Sequence, residues 1–539
     1  FLDRYCESVK AGALTEAQEM VELRLKSMWV TRPDHEGRLQ EWQAARSVLE
    51  LLDRCAAFSE PPQRLGQLAE AYQANYHLLD RAHRLLEQAE ANRIEEHAGL
   101  EELITLARVR YLDCASRLHK AHLRAIELES WPPMGAELEN AVLFDRVVDP
   151  FLKQGKRVAY LLIDSLRYEL AADLRETLIK TYKVELRLSY AQLPTYTEVG
   201  MASLMPQAKA KLRLKVKEQG GVRKLAAYLG ERAVPDPTTR FNHLKEIMGD
   251  RCQHEPIARL QQGSRPHLDQ RIQLYVVRGS DIDEASHAGG SRAMLQIPAM
   301  MREIGVAISK LARMGFDHVV IATDHGFMLR PVSGPGDACE LPPGEWLVRK
   351  TRCVLGNGGN TSDPANFVID RAKLGIEGDF NQFATPRAFL PYDGSTDYFH
   401  EGLSPQENFL PCLIINLATP AAARSGGTPD VYINTRGRTA VTTLCPSFSL
   451  EWRQEEFSLD GDKIFLIQVL DAAGAEVASL AMGDNVDHMT QRVTLQPGKP
   501  TKFGVVLRDG FTGEFTIKAL DPETMAEYHS VKLTTNFAY

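Results

Sequence analysis

The sequence predicts a multidomain α/β protein: a doubly wound, mostly parallel sheet over 146–427, preceded by a helical domain over 1–145 and followed by a β-sandwich over 428–539. Three observations predict it. Between about 146 and 425, short apolar runs alternate with helical stretches such as 168–180 and 296–314, a pattern that folds into a parallel sheet with helices on its faces. Ahead of that region, apolar residues recur at three- and four-residue steps. Behind it, short strands separated by turn residues have the regular spacing of a sandwich.

In the first segment the periodic residues are Leu65, Leu68, Tyr72, Tyr76, Leu79 and Leu86, then Leu100, Leu103, Ala107, Tyr111, Cys114, Leu118 and Ile126. Two long amphipathic helices packed along one seam are expected. The histidines here (His77, His83, His97, His119 and His122) lack accompanying carboxylate spacing, so they read as polar-face or satisfied core residues. Trp131-Pro132-Pro133 ends the helix and marks a boundary.

Within 146–427, two stretches break the alternation. Residues 207–272 read as an insertion near the mouth of the site, and 331–395, rich in Gly, Pro and Asn, as a second insertion made mostly of loops. After 428, acidic residues outnumber basic ones, so the sandwich reads as a protein-contact or packing module.

The chain has 539 residues and a net charge of −8, which argues against coating nucleic acid through bulk charge, though not against a local basic groove. Its 8 cysteines are scattered without a CxxC, as in a reducing cytoplasm. No window is apolar enough to span a membrane, and no secretory signal opens the sequence. Residue 1 is Phe, as expected of a fragment.

Four apolar strands lead towards groups that bind metals or phosphate. Val319 to Ala322 is followed by Thr323-Asp324-His325-Gly326-Phe327, and Val158 to Ile163 runs into Asp164. Val184 to Tyr190 leads to Leu193-Pro194-Thr195-Tyr196-Thr197, and Leu274 to Val277 leads to Asp283 and His287. His400 follows in Asp397-Tyr398-Phe399-His400-Glu401-Gly402. Open α/β sheets bind ligands just beyond their strand ends, and mixed carboxylate and imidazole donors suit zinc or manganese. Each residue alone has a plain reading, Asp164 as a helix cap and the Asp283/His287 pair as coincidence. Collected at one sheet edge, they could form two metal sites about 3.5–4 Å apart, clamping both oxygens of a phosphoryl displacement.

The segment Leu162-Ile163-Asp164-Ser165-Leu166-Arg167-Tyr168-Glu169 resembles the opening motif of the PglZ proteins. These belong to the alkaline phosphatase superfamily and to the BREX phage-defence systems. Leu193 to Ala202 resembles the family's P-x-x-T-x-x-G-M-A segment, and Thr323 to Phe327 and His400 to Glu407 resemble its two remaining signatures. The resemblance implies an alkaline-phosphatase-like catalytic domain over 146–427. It also implies one metal held by Asp164, Asp324, His325 and the hydroxyl of Thr197, and another held by Asp283, His287 and His400. Two divalent ions are expected, zinc or else manganese. The other BREX proteins, a methyltransferase and an ATPase, are the expected partners.

Thr197 is the expected nucleophile, with Thr195 as the alternative. The implied activity is a two-metal phosphodiesterase, with nucleic acid as a candidate substrate and hence a nuclease as one form of it. A phosphomonoesterase and a scaffold that docks partner proteins are the competing readings, Arg167 being the residue that could meet a monoester's extra charge. Beside the site, Lys209, Lys211, Arg213, Lys215 and Lys217 alternate with apolar residues. On a strand all five would share one face, either tracking phosphates or guarding an exposed edge.

Overall fold

Residues 65–129 form long helices because their apolar positions repeat at helical spacing. The computed structural model describes residues 1–537 except 28–29, 31–35, 262–267, 270, 281, 286–289, 331–337, 394–396, 421–429, 436, 454–462, 484, 488–489, 496–499 and 523–524. The predicted seam is carried by the helical turns Leu65–Ala71, which run through a π-turn at Tyr72–Tyr76 into α1 (His77–Ala91), and by α2 (Ala98–Glu129). Every seam residue named above is buried. The inward-facing histidines are engaged as core residues: His83 stacks on Tyr111, with ring centroids 3.7 Å apart, and His122 Nε2 bonds Asn408 Oδ1 at 3.1 Å.

Six strands form the central sheet: β1 (Val158–Ile163), β2 (Tyr182–Tyr190), β3 (Cys252–Pro256), β4 (Leu274–Gly279), β5 (His318–Ala322) and β6 (Phe409–Pro420). Their spatial order is β2-β6-β5-β1-β4-β3. β1 pairs in parallel with β4 and β5, and β3 in parallel with β4. β6 alone runs the other way, antiparallel to both β2 and β5. The sheet is therefore largely parallel, as expected, with one reversed strand inside it.

β1 is buried throughout because its six residues are all apolar, as a strand covered on both faces requires. Val158, Tyr160 and Leu162 join one core, and Ala159, Leu161 and Ile163 the other. The second core is closed by α3 (Tyr168–Leu178) and by the helix Ile297–Arg313. The first takes in the short helix Thr197–Ser203 and the C-terminal turns of α2.

Both insertions hold more order than their sequences suggest. The stretch 207–272 contains a hairpin, Leu212–Gln219 with Val222–Leu229, turned by Gly220 (φ +62°) and Gly221 (φ +77°). Two consecutive left-handed residues make a tight hairpin turn that favours glycine. The same stretch also supplies β3, so part of it belongs to the central sheet. The described part of 331–395 is mostly loop, as expected, but its loops connect a four-stranded antiparallel sheet of Glu345–Arg349, Val354–Asn357, Asn366–Asp370 and Gln382–Pro386.

The basic stripe is shorter than its alternation implies. Ala208–Lys211 is a helical turn, which removes Lys209 and Lys211 from the strand. Arg213, Lys215 and Lys217 remain on one exposed face, with Leu212 and Leu214 buried behind them. Lys215 and Lys217 lie over the Tyr228 ring, 4.5 and 5.0 Å from its centroid.

The expected domain boundary at 427–428 lies outside the described residues. Among the described residues beyond 430, ten strands form a separate β-rich domain, hydrogen-bonded into one network. All pair antiparallel except Ala440–Val441 with Glu527–Thr535. Alternate residues such as Phe465, Ile467 and Val469 fill a separate apolar core. Among the described residues no helix is long and apolar enough to cross a membrane.

Candidate metal centre

The topology brings distant residues to one edge. Asp164 follows β1, Thr197 follows β2, Asp283 follows β4 and Asp324-His325 follow β5, all at C-terminal strand ends. Because β6 is reversed, its start lies at that same edge, and His400 lies just ahead of it. The ligand atoms of Asp164, Asp324 and His325 lie within 4.8 Å of one another, and so do those of Asp283, His325 and His400. His325 thus stands in both groups, where the sequence had assigned it to one. His287 lies outside the described residues.

Thr197 joins the first group. Its Oγ1 is 3.1 Å from His325 Nε2, which in turn is 3.6 Å from Asp164 Oδ1 and 3.5 Å from Asp324 Oδ2. Thr195 does not face this space. It is buried, and its hydroxyl donates to the Gly402 carbonyl at 3.4 Å.

Both imidazoles present Nε2 as an acceptor. The His325 Nδ1–H donates to the Gly326 carbonyl at 3.1 Å, and the His400 Nδ1–H donates to the Thr195 carbonyl at 3.1 Å. Such outer bonds fix the tautomer a metal needs. The two rings stack with centroids 4.2 Å apart and planes 4° apart. Burial, and then the neighbouring His325, hold the His400 pKa below its ordinary value, which keeps the ring neutral and able to ligate.

The carboxylates fit a cation. Asp164 Oδ1 and Asp324 Oδ2 are buried and have no hydrogen-bond partner. A carboxylate oxygen left alone inside a protein is costly, and a divalent ion held by these groups would offset that cost. Burial first, then the charges of Asp324 and Asp283, push the Asp164 pKa well above the usual carboxylate range. The remaining Asp324 oxygen is held in place. Oδ1 accepts from the backbone N–H of His325 at 2.9 Å and of Ser165 at 3.2 Å. Ser165 reaches it by adopting φ +62°, a conformation uncommon outside glycine.

Several supporting residues were given no role by the sequence, although Gly200 and Glu407 lie within its motif segments. The Tyr398 hydroxyl donates to Asp283 Oδ1 at 2.9 Å, and its only sequence signal is its position two residues before His400. Glu407 is buried and anchors the His400 loop. It accepts from Gly402 N at 2.7 Å, from Ser404 Oγ at 2.5 Å and from Arg352 Nη2 at 3.1 Å. Gly200 is needed because a Cβ there would lie 2.6 Å from the Asp324 carbonyl oxygen.

Arg167 does not serve the site as a cation. Its side chain is fully buried, with Nη2 3.5 Å from Asp80 Oδ1 in α1. The third side of the centre opens into a cleft of about 490 Å³ lined by Thr197, Asp283 and His400.

The fold, a mixed α/β sheet with candidate acidic and imidazole ligands gathered at its C-terminal edge, is that of an alkaline-phosphatase-like domain. The family model described as "BREX system PglZ alkaline phosphatase-like domain" matches residues 143–415, and the chain belongs to that family. It is 24% identical over 414 residues to the alkaline phosphatase-like protein PglZ of Bacillus cereus (strain H3081.97), covering 73% of this chain and 46% of that protein. To the alkaline phosphatase-like protein BrxZ of Escherichia coli O9:H4 (strain HS) it is 23% identical over 312 residues, covering 55% and 35%. The chain thus spans less than half of either relative. Among solved structures it resembles phosphonoacetate hydrolase from Sinorhizobium meliloti 1021, with a TM-score of 0.34 and 10% identity over 48% of this chain and 90% of that one. It also resembles murine ectonucleotide pyrophosphatase/phosphodiesterase 5, with a TM-score of 0.32 and 11% identity over 48% of this chain and 88% of that one.

Proposed function

We propose that this chain is a two-metal phosphodiesterase acting within a BREX phage-defence complex in the cytoplasm, with Thr197 as its nucleophile. The observation that carries this reading is the Thr197 hydroxyl, 3.1 Å from His325 Nε2 and beside the two unpartnered carboxylate oxygens. Asp164, Asp324, His325 and Thr197 would hold one ion, and Asp283 and His400, with His287, the other. Zinc or manganese suits these donors. When bound, the ions lower the pKa of the attacking hydroxyl and neutralise charge on the phosphoryl oxygens.

The protein's own residues do the rest. His325 Nε2 accepts a hydrogen bond from the Thr197 hydroxyl, which orients the oxygen at the cleft. The backbone bonds on Asp324 and the Glu407 brace on the His400 loop keep the donors from following substrate motion. A diester is favoured over a monoester because Arg167, the motif cation, points into the protein towards Asp80. The methyltransferase and ATPase of the system are the proposed partners, and a polynucleotide is the proposed substrate.

The test is hydrolysis of bis(p-nitrophenyl) phosphate against p-nitrophenyl phosphate at saturating zinc or manganese. Faster turnover of the diester supports the reading. Faster turnover of the monoester overturns its specificity, and turnover of neither by metal-loaded protein points to a scaffold.

A further inference from the structure

The cleft above Thr197 has a wall that the metal chemistry does not use. Arg223 and Lys224 reach it from the first insertion, Arg349 and Lys350 from the second. The two insertions meet there, the strand Glu345–Arg349 lying beside Val222–Leu229. Arg223 and Lys224 are exposed just after the Gly220-Gly221 turn. Among the described residues, no carboxylate pairs with Arg223, Lys224 or Arg349.

Lys350 is fixed in position. Its Nζ is 3.2 Å from Glu401 Oε1 and 4.5 Å from the centroid of the Tyr196 ring. Glu401 is held in turn by the backbone N–H of Thr351, at 3.0 Å from Oε2. Tyr196 precedes the proposed nucleophile and Glu401 follows a proposed ligand, so this cation is registered to the reacting centre. Of the acidic residues in the cleft, Glu401 is balanced by Lys350 and Asp283 belongs to the metal centre, leaving Glu198 against three unpaired cations.

Resting on the diester reading above, we propose that this wall is a flanking-phosphate subsite, and that the substrate is a polynucleotide strand rather than an isolated diester. The residues of the 209–217 stripe do not line the cleft, so phosphate tracking belongs to Arg223, Lys224, Arg349 and Lys350 instead. Recognition is indifferent to base sequence. Among the described residues, and apart from His400 of the metal centre, the only ring lining the cleft is Tyr196, which is 5% exposed beneath Lys350 and offers no platform for a base.

The experiment compares parent, Arg223→Ala/Lys224→Ala and the control Arg213→Ala/Lys215→Ala. Binding of a fluorescein-labelled oligothymidylate is followed by anisotropy in a Thr197→Ala background. Hydrolysis of the same oligonucleotide and of bis(p-nitrophenyl) phosphate is followed with Thr197 intact. The wall variant should weaken oligonucleotide binding roughly tenfold and flatten its salt dependence, since it removes two phosphate contacts. Its kcat/KM should fall about tenfold more on the oligonucleotide than on the small diester. Equal losses on the two substrates, equal weakening in the control, or no oligonucleotide binding by the parent would each overturn the subsite. If oligonucleotide binding depends on the wall but neither diester is hydrolysed, the subsite stands and the phosphodiesterase reading fails.

Discussion

Gln406 Nε2 donates to Asp80 Oδ1 at 2.9 Å, joining the loop that carries His400 to the middle of a helix in the N-terminal segment. Asp80 is fully buried and also accepts from the hydroxyls of Tyr72 at 2.7 Å and Tyr111 at 3.0 Å. The same oxygen faces the guanidinium of Arg167, which lies in the segment that follows β1 and carries Asp164. The helical segment therefore touches two of the four motif loops through one carboxylate.

Asp80→Asn should cost about 3 kcal/mol, because it leaves the buried Arg167 guanidinium with only Glu169, 3.9 Å away and already paired with Arg84, as counter-charge. Urea unfolding measures this. Arg167→Met in the same chain should recover part of the loss, as removing both charges leaves neither stranded. Zinc affinity measured by competition should also weaken in Asp80→Asn, through the displaced His400 loop.

Thr197→Ala should lower diester hydrolysis by on the order of a thousandfold, since losing a covalent nucleophile removes the route itself. Metal binding should persist, because three protein donors of that site remain. Thr197→Ser should retain activity, and Thr195→Ala should be the milder change. A Thr197→Ala protein as active as its parent would identify water as the attacker.

Metal should stabilise the fold. An ion at about 100 times its Kd contributes about 2.7 kcal/mol, so chelation should lower the Tm and added zinc restore it. In Asp164→Ala/Asp324→Ala the zinc-dependent shift should shrink, as the two unpartnered oxygens are gone. Calorimetry with and without chelator reads this directly.

Gly200→Ala should disrupt the site without unfolding the chain. The added methyl meets the Asp324 backbone at 2.6 Å, too close to be accommodated without a shift. A stability loss of about 1–3 kcal/mol is expected, together with a drop in kcat of roughly a hundredfold from misplaced Thr197 and Asp324.

Acid should destabilise the protein through His122. Burial lowers its pKa from 6.5 to about 4, its bond to Asn408 opposing only in part. The unfolded chain therefore binds a proton near pH 6.5 that the folded chain refuses until about pH 4, and stability falls as pH drops through that window. The loss is about 3 kcal/mol by pH 4. Denaturant midpoints across this range should depend less on pH in His122→Gln.

Much of the site was legible because buried parallel strands are continuous apolar runs, so Asp164 and Asp324 stand out where such runs stop. The seam of α1 and α2 was equally plain from its periodicity. β3 was hidden, because Cys252-Gln253-His254-Glu255-Pro256 is a half-exposed edge with no apolar run. The alternation at 209–217 misled because Ala and Lys are also strong helix formers, and the first three residues of that stretch took the helical option. Asp80 gave no signal at all. Its partners Arg167 and Gln406 are distant in sequence, and a lone Asp in an amphipathic helix reads as solvated.

The reversed strand β6 has a consequence for how the protein comes into being. Every proposed ligand up to Asp324 and His325 is present once β5 has been made, yet His400 reaches the edge only when β6 threads between β2 and β5. Until then the sheet is split, with β2 cut off from the other strands. A chain still emerging from the ribosome, or cut short before residue 409, carries most of the proposed ligands without the strand that completes their edge, so the proposed centre forms only with a completed domain.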